Sequence, residues 1–128
     1  MAEPVRDKLP SGPGYPTGSG QGGTVTQITN RSTGVTLHTP TGAITTDTAS
    51  LAAEATADFI VTNRCVQITD VVVVSVRSGS DGGGTIVTVT TVTAGSFTIR
   101  VHNGNVASGT AETGAIIINF AVIKGSVN

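Results

Sequence analysis

The sequence predicts an all-β domain, an antiparallel β-sandwich of about eight short strands behind a disordered Gly/Pro-rich N-terminal arm. Three observations predict it. From Thr24 onward the chain is rich in Thr and Val, whose β-branched side chains suit a pleated, half-buried surface. Apolar and polar residues alternate in short runs, which places them on opposite faces of a strand. Turn signals built on Gly, Asn and Asp recur about every ten residues. A jelly-roll-like and an immunoglobulin-like strand order satisfy this pattern equally. The length of 128 residues suits one domain, divided into an arm over residues 1–23 and a sandwich over residues 24–128.

The arm holds four of the five prolines (Pro4, Pro10, Pro13 and Pro16) and six glycines. Proline lacks an amide donor and glycine loses the most entropy on ordering, so this stretch can extend neither a helix nor a sheet. It reads either as a flexible leader or as an arm that orders against a partner. On the second reading Tyr15, the only tyrosine, and Pro16 anchor it, with Pro13, Gly14 and Gly18 beside them.

The strands follow in order. "TVTQIT" (24–29) and "GVTLHT" (34–39) alternate around the turn "NRSTG". "PTG" (40–42) turns the chain into "AITT" (43–46). "DTASLAAEATA" (47–57) has helix-forming residues, but it is short and diluted by Thr and Ser, so it predicts a loop with at most one helical turn. "DFIVTN" (58–63) puts Phe59 and Val61 on one face. "DVVVVSVR" (70–77) is nearly all β-branched, which predicts a strand covered on both faces. "SGSDGGG" (78–84) predicts a hairpin loop, and "TIVTVTTV" (85–92) faces Val87 and Val89 one way. After "TAG" (93–95), "SFTIRVHN" (96–103) turns Phe97, Ile99 and Val101 inward and Thr98, Arg100 and His102 outward. A polar loop, 104–114, leads to "AIIINFAVIKG" (115–125), with Ile116, Ile118, Phe120 and Val122 on one face.

Composition excludes several function classes. Net charge is −1, only 12% of residues are charged, and aromatics are 3% with no Trp. Arg31, Arg64, Arg77 and Arg100 stand singly, so there is neither a basic patch nor a stacking platform for nucleic acid. The longest apolar run, 115–123, is about half a membrane span, which predicts no membrane partner. The first ten residues contain acids and prolines and no apolar core, which predicts synthesis in the cytoplasm without a secretory signal. The lone Cys65 excludes an internal disulfide and a cysteine-only zinc site. So weakly charged a surface suits a chain much of whose exterior meets other subunits, because free sheet proteins normally guard their edges with charge.

No enzyme motif emerges. There is no G-x-S-x-G elbow, and "GSDGGGT" (79–85) lacks the lysine and helix of a phosphate loop. His38 and His102 read as residues of exposed strand faces rather than as general bases. Asp47, Glu54, Asp58, Asp70, Asp81 and Glu112 fall one to a loop or strand start, which suits turn chemistry better than a pair of catalytic carboxylates. The residues predict no catalytic site, no metal and no cofactor.

One further pattern is specific in its order and spacing. "GYPTGSGQGGTVTQ" passes into "STGVTL" and "PTGAI", then "FIVTN", "TDVVVVSV", "AGSFTI" and "NFAVIKG". This succession, over about residues 14–125, resembles small structural proteins of tailed bacteriophages and prophages, most of all head decoration (cement) proteins. The chain departs from that pattern in the acids and arginine of its first residues. The resemblance implies a non-enzymatic virion component on the capsid surface, a homotrimer whose partner is the lattice of the major capsid protein. A receptor- or glycan-binding β-domain of a tail fibre or tail tip is the alternative.

Overall fold

A computed structural model describes residues 22–106 and 109–125. They form eight strands: β1 (Thr24–Thr26), β2 (Val35–Thr36), β3 (Thr41–Thr45), β4 (Thr56–Thr62), β5 (Val71–Ser78), β6 (Thr85–Thr93), β7 (Ser96–Asn103) and β8 (Ile117–Ile123). There is no α-helix among the described residues, only a 3₁₀ turn at Asp81–Gly83. The strands make two four-stranded sheets, ordered β1-β3-β8-β5 and β2-β4-β7-β6.

Both sheets are mixed, which corrects the antiparallel expectation. β1 pairs with β3 in parallel, and β2 with β4 in parallel, while the other neighbours are antiparallel. The cause is the path of the chain. Through the first six strands it alternates between the sheets, and each crossing reverses its direction. Strands that return to the same sheet two steps later therefore run the same way. Only β6 and β7 are consecutive neighbours in one sheet. They form a true hairpin, closed by Ala94 and Gly95, with Gly95 at φ +88° where a side chain would strain the turn.

The segment 78–84, expected as a hairpin loop, is instead an arch from one sheet to the other, since β5 and β6 belong to different sheets. Gly79 opens it at φ +96°, and a Cβ there would run into the Ala115 carbonyl. Turn residues signal a reversal of the chain but not whether the next strand stays in the same sheet.

The inner faces share one core. Phe59, Val61, Phe97, Ile99 and Val101 come from one sheet, and Ile44, Ile118, Phe120 and Val122 from the other. Phe97 and Phe120 meet across the gap with ring centroids 5.4 Å apart and planes tilted by 57°, a favoured aromatic geometry. The alternation expected along β7 and β8 holds: Phe97, Ile99 and Val101 are buried, as are Ile116, Ile118, Phe120 and Val122. Gly42 lies within β3 because a Cβ there would come within 2.9 Å of the Phe120 ring. The stretch 47–57 contains no helical turn; Leu51 bridges to Glu112, and Thr56 and Ala57 already belong to β4.

β5 differs from its expectation. It is an edge strand of the first sheet, not a strand covered on both faces. Val72, Val74 and Val76 pack on the core, but Val71 and Val73 are exposed.

Candidate functional site

The alternating path puts the loops 27–34, 46–55, 79–84 and 104–116 at one end of the domain. The connections around residues 37–40, 63–70 and 94–95 lie at the other, with Gly22 and Lys124. The arm residues Tyr15, Pro16, Pro13, Gly14 and Gly18 lie outside the described residues.

At the long-loop end, buried polar side chains knit the loops together. Arg31 is buried and donates through Nε to the Ala49 carbonyl, through Nη1 to Thr46 Oγ1 (3.1 Å), and through Nη2 to the carbonyls of Glu112 (3.3 Å) and Gly114 (2.8 Å). Burial lowers the pKa of its guanidinium, opposed by the negative charges of Glu112, Asp47 and Asp81; an arginine keeps its charge regardless. The turn before it holds Thr29 at φ +75°, a strained value for a β-branched residue. Gln27 donates to the carbonyls of Arg31 (2.9 Å) and Thr33 (2.8 Å) and accepts from the Asp47 amide.

Two carboxylates clasp the arch reciprocally. Glu112, fully buried, accepts from the Asp81 amide (2.6 Å) and the Ser80 hydroxyl (3.4 Å). Asp81 in turn accepts from the Thr113 amide (2.8 Å) and hydroxyl (3.1 Å). Glu112 is buried, and both carboxylates are occupied by backbone and hydroxyl donors. Asn103 adds bonds to the carbonyls of Leu51 (3.0 Å) and Thr110 (2.9 Å).

At the other end, Asp70 accepts from Lys124 Nζ (2.6 Å), the Gln67 amide (2.8 Å) and the Gly125 amide (3.0 Å). Asn63 donates to the Thr39 carbonyl and accepts from the Cys65 amide. The histidines sit at opposite ends of β4. His38 Nδ1 accepts the Arg64 amide (3.0 Å), and His102 Nδ1 pairs with Thr56 Oγ1 (3.0 Å). They share no site, and the hydrogen bonds of their rings run to the Arg64 amide and the Thr56 hydroxyl, not to a carboxylate that would orient either as a base. Among the described residues no three His, Cys, Asp or Glu side chains group as metal ligands.

Three of these carboxyls make the fold acid-sensitive. The Asp58 carboxyl is held below its ordinary range by hydrogen bonds from Arg100, and that of Asp81 by the Thr113 amide and hydroxyl. Burial pushes Asp70 up, but Lys124 and the amides of Gly125 and Gln67 outweigh it, so its net shift is also downward. A carboxyl with a depressed folded pKa contributes stability above its unfolded value. That contribution is lost as pH falls through the folded value. Unfolding midpoints are therefore expected to fall as pH drops from about 5 towards about 2, and to fall less in Asp70→Asn, which has no carboxyl there to protonate. Thermal melts across that range check it.

The two outer faces are chemically different. That of the second sheet carries Asp58 and Arg100, paired through two contacts of 2.9 Å, with His102 nearby on β7. Beside this pair, where the two-residue β2 leaves β4 uncovered, a shallow groove of ≈ 370 Å³ is lined by Ser32, Gly34, Asp58, Phe59, Ile60 and Thr98. Phe59 points into the core, so the groove offers no aromatic face to a sugar. The outer face of the first sheet carries threonines of β1 and β3 with Ala43, Ile117, Ala121, Ile123, Val71 and Val73. Its four strands hold one ionisable residue, Arg77, at the β-bulge near the end of β5.

No family model matches the chain, and neither does any curated protein or solved structure. The site thus rests on its own chemistry. Buried polar side chains at both ends hold loops together, and the outer face of the first sheet presents mostly hydroxyl and β-branched side chains.

Proposed function

We propose that the chain is a non-enzymatic structural protein of a tailed-phage virion. It attaches to the outer surface of the assembled capsid and stabilises it by bridging major capsid protein subunits, as a homotrimer. It is made in the host cytoplasm and resides on the head. The observation that carries this reading is the outer face of the first sheet, whose four strands hold a single ionisable residue, Arg77. Its exposed Val71, Val73 and Ile123 gain by burial against another protein subunit, and so few charges there keep the cost of desolvation low.

The succession of motifs over residues 14–125 supports the same reading, and so does the composition of the arm. An arm of Gly and Pro follows a curved surface and orders only where that surface exists. A small domain that binds only the expanded lattice stabilises that lattice by mass action. Three linked arms raise the effective concentration of each, so weak single contacts add up to lasting attachment. A jelly-roll-like or immunoglobulin-like sandwich, here with parallel pairing at the β1 and β2 edges, suits this role.

Heads of the encoding phage that lack this chain are expected to lose heat resistance. Adding back the full chain restores it, and a chain without residues 1–22 does not. Heads as heat-resistant without the chain as with it would refute the proposal. Labelling that marks tails rather than heads would replace it with the tail-fibre reading.

A further inference from the structure

We infer that the outer face of the first sheet is where copies of this chain meet one another. Its apolar residues are contiguous. Val71 lies directly opposite Ile123, and Val73 opposite Ala121, which in turn faces Thr41 on β3. Val71 is 56% exposed, Val73 47% and Ile123 41%. On the second sheet the exposed apolar residues do not join. Ile60 and Ile86 lie on strands either side of β7, and the Asp58–Arg100 pair shares that face with them.

Charge selects the occupant. A partner held by steering or ion pairs would meet no complementary group on this face, because its strands have no ionisable side chain short of Arg77. A second copy brings the same neutral surface, so self-contact buries no unpaired charge. The surface also continues around the edge of the domain. β5 is the edge of one sheet and β6 of the other, and the nine residues of β6 contain no charge and no proline. Long uncharged edges of this kind are left unguarded only where something covers them. The face alone spans about 14 Å across its four strands and about 17 Å along them. That is small for a lasting dimer, so face and edge together form the contact, with the face of one copy against the edge region of the next. Such head-to-tail contacts do not stop at pairs; they close into a ring, as a homotrimer requires, where the rotation between copies permits it. The inference deepens the proposed role by naming the surface that joins the copies, but it does not depend on attachment to a head.

Sedimentation velocity of the full chain over a wide concentration range tests it, with Val73→Lys on this face and, as the control, Ile60→Lys on β4 of the second sheet, two strands away from the β6 edge. The wild type is expected to associate. Val73→Lys should raise the concentration of half-association by at least about tenfold, while Ile60→Lys leaves it unchanged. Both side chains are exposed, and circular dichroism confirms that the variants fold; Val71→Lys serves if Val73→Lys does not. A wild type that stays monomeric at every concentration overturns the inference, whether or not the chain binds heads. So does association that survives lysine at Val73 and Val71 but is lost with Ile60→Lys.

Discussion

Replacing Phe97 with alanine is expected to destabilise the fold by about 3–5 kcal/mol, a large share of the roughly 5–15 kcal/mol that a domain of this size has in total. Phe97 is fully buried and sits where the two sheets touch, with its ring against Phe120. Alanine there loses the transfer energy of the ring and leaves a cavity that only the backbone of two sheets could close. Hydrogen-bonded sheets do not collapse inward easily, so the cavity term stays large. A loss of this size corresponds to a fall in the melting midpoint of roughly 15–25 °C, which calorimetry reads directly. Thr98→Ala, one residue along and facing outward, serves as the control and should move the midpoint by about 2 °C or less. Equal effects from the two substitutions would mean that the sheets do not meet at Phe97.

Arg31→Met is expected to cost about 2 kcal/mol or more, although the residue lies in a loop and not in a strand. Methionine keeps much of the side-chain volume and removes the donors. The carbonyls of Ala49, Glu112 and Gly114 and the hydroxyl of Thr46 then lose the guanidinium they share. The Glu112 carbonyl keeps the Leu51 amide and Thr46 Oγ1 keeps the Ile116 amide, so the loss falls mainly on the carbonyls of Ala49 and Gly114, at about 1–3 kcal/mol for each that water does not reach. Lysine should not rescue the loss, because a point-like ammonium cannot span four acceptors on separate segments. Chemical denaturation of Arg31→Met and Arg31→Lys checks both statements. A Lys variant as stable as the wild type would show that charge matters at this position, and that the fork of the guanidinium does not.

These two residues also show how far the sequence could be read. Phe97 was legible because "SFTIRVHN" alternates strictly, and alternation maps directly onto the inner and outer faces of a strand. β8 was legible for the same reason. Arg31 was not legible. It looked like one of four scattered arginines, and its carbonyl partners at Glu112 and Gly114 lie 81 and 83 positions away. Nothing local to "NRSTG" announces that its arginine points inward. Glu112 was missed likewise, read as a loop acid when it is buried beneath the arch it clasps. The Asp58–Arg100 pair joins residues 42 positions apart through the β4–β7 register, which a sequence does not display.

The topology failed at a different point. Turn residues such as Gly, Asn, Asp and Pro marked most reversals of the chain, but a crossing between sheets and a hairpin within one need similar residues. The parallel pairs β1–β3 and β2–β4 follow from crossings, so they were hidden with them. "DVVVVSVR" misled because an unbroken β-branched run ordinarily belongs to a doubly covered strand. Here half of the run faces outward at an edge, and that departure marks the surface on which the functional reading turns.

Mixing the purified chain with heads of the encoding phage, before and after their expansion, and sedimenting the mixtures tests the central claim most directly. Saturable binding to expanded heads alone, lost when residues 1–22 are removed, is the predicted result. A chain that stays in the supernatant with both kinds of head would contradict the account.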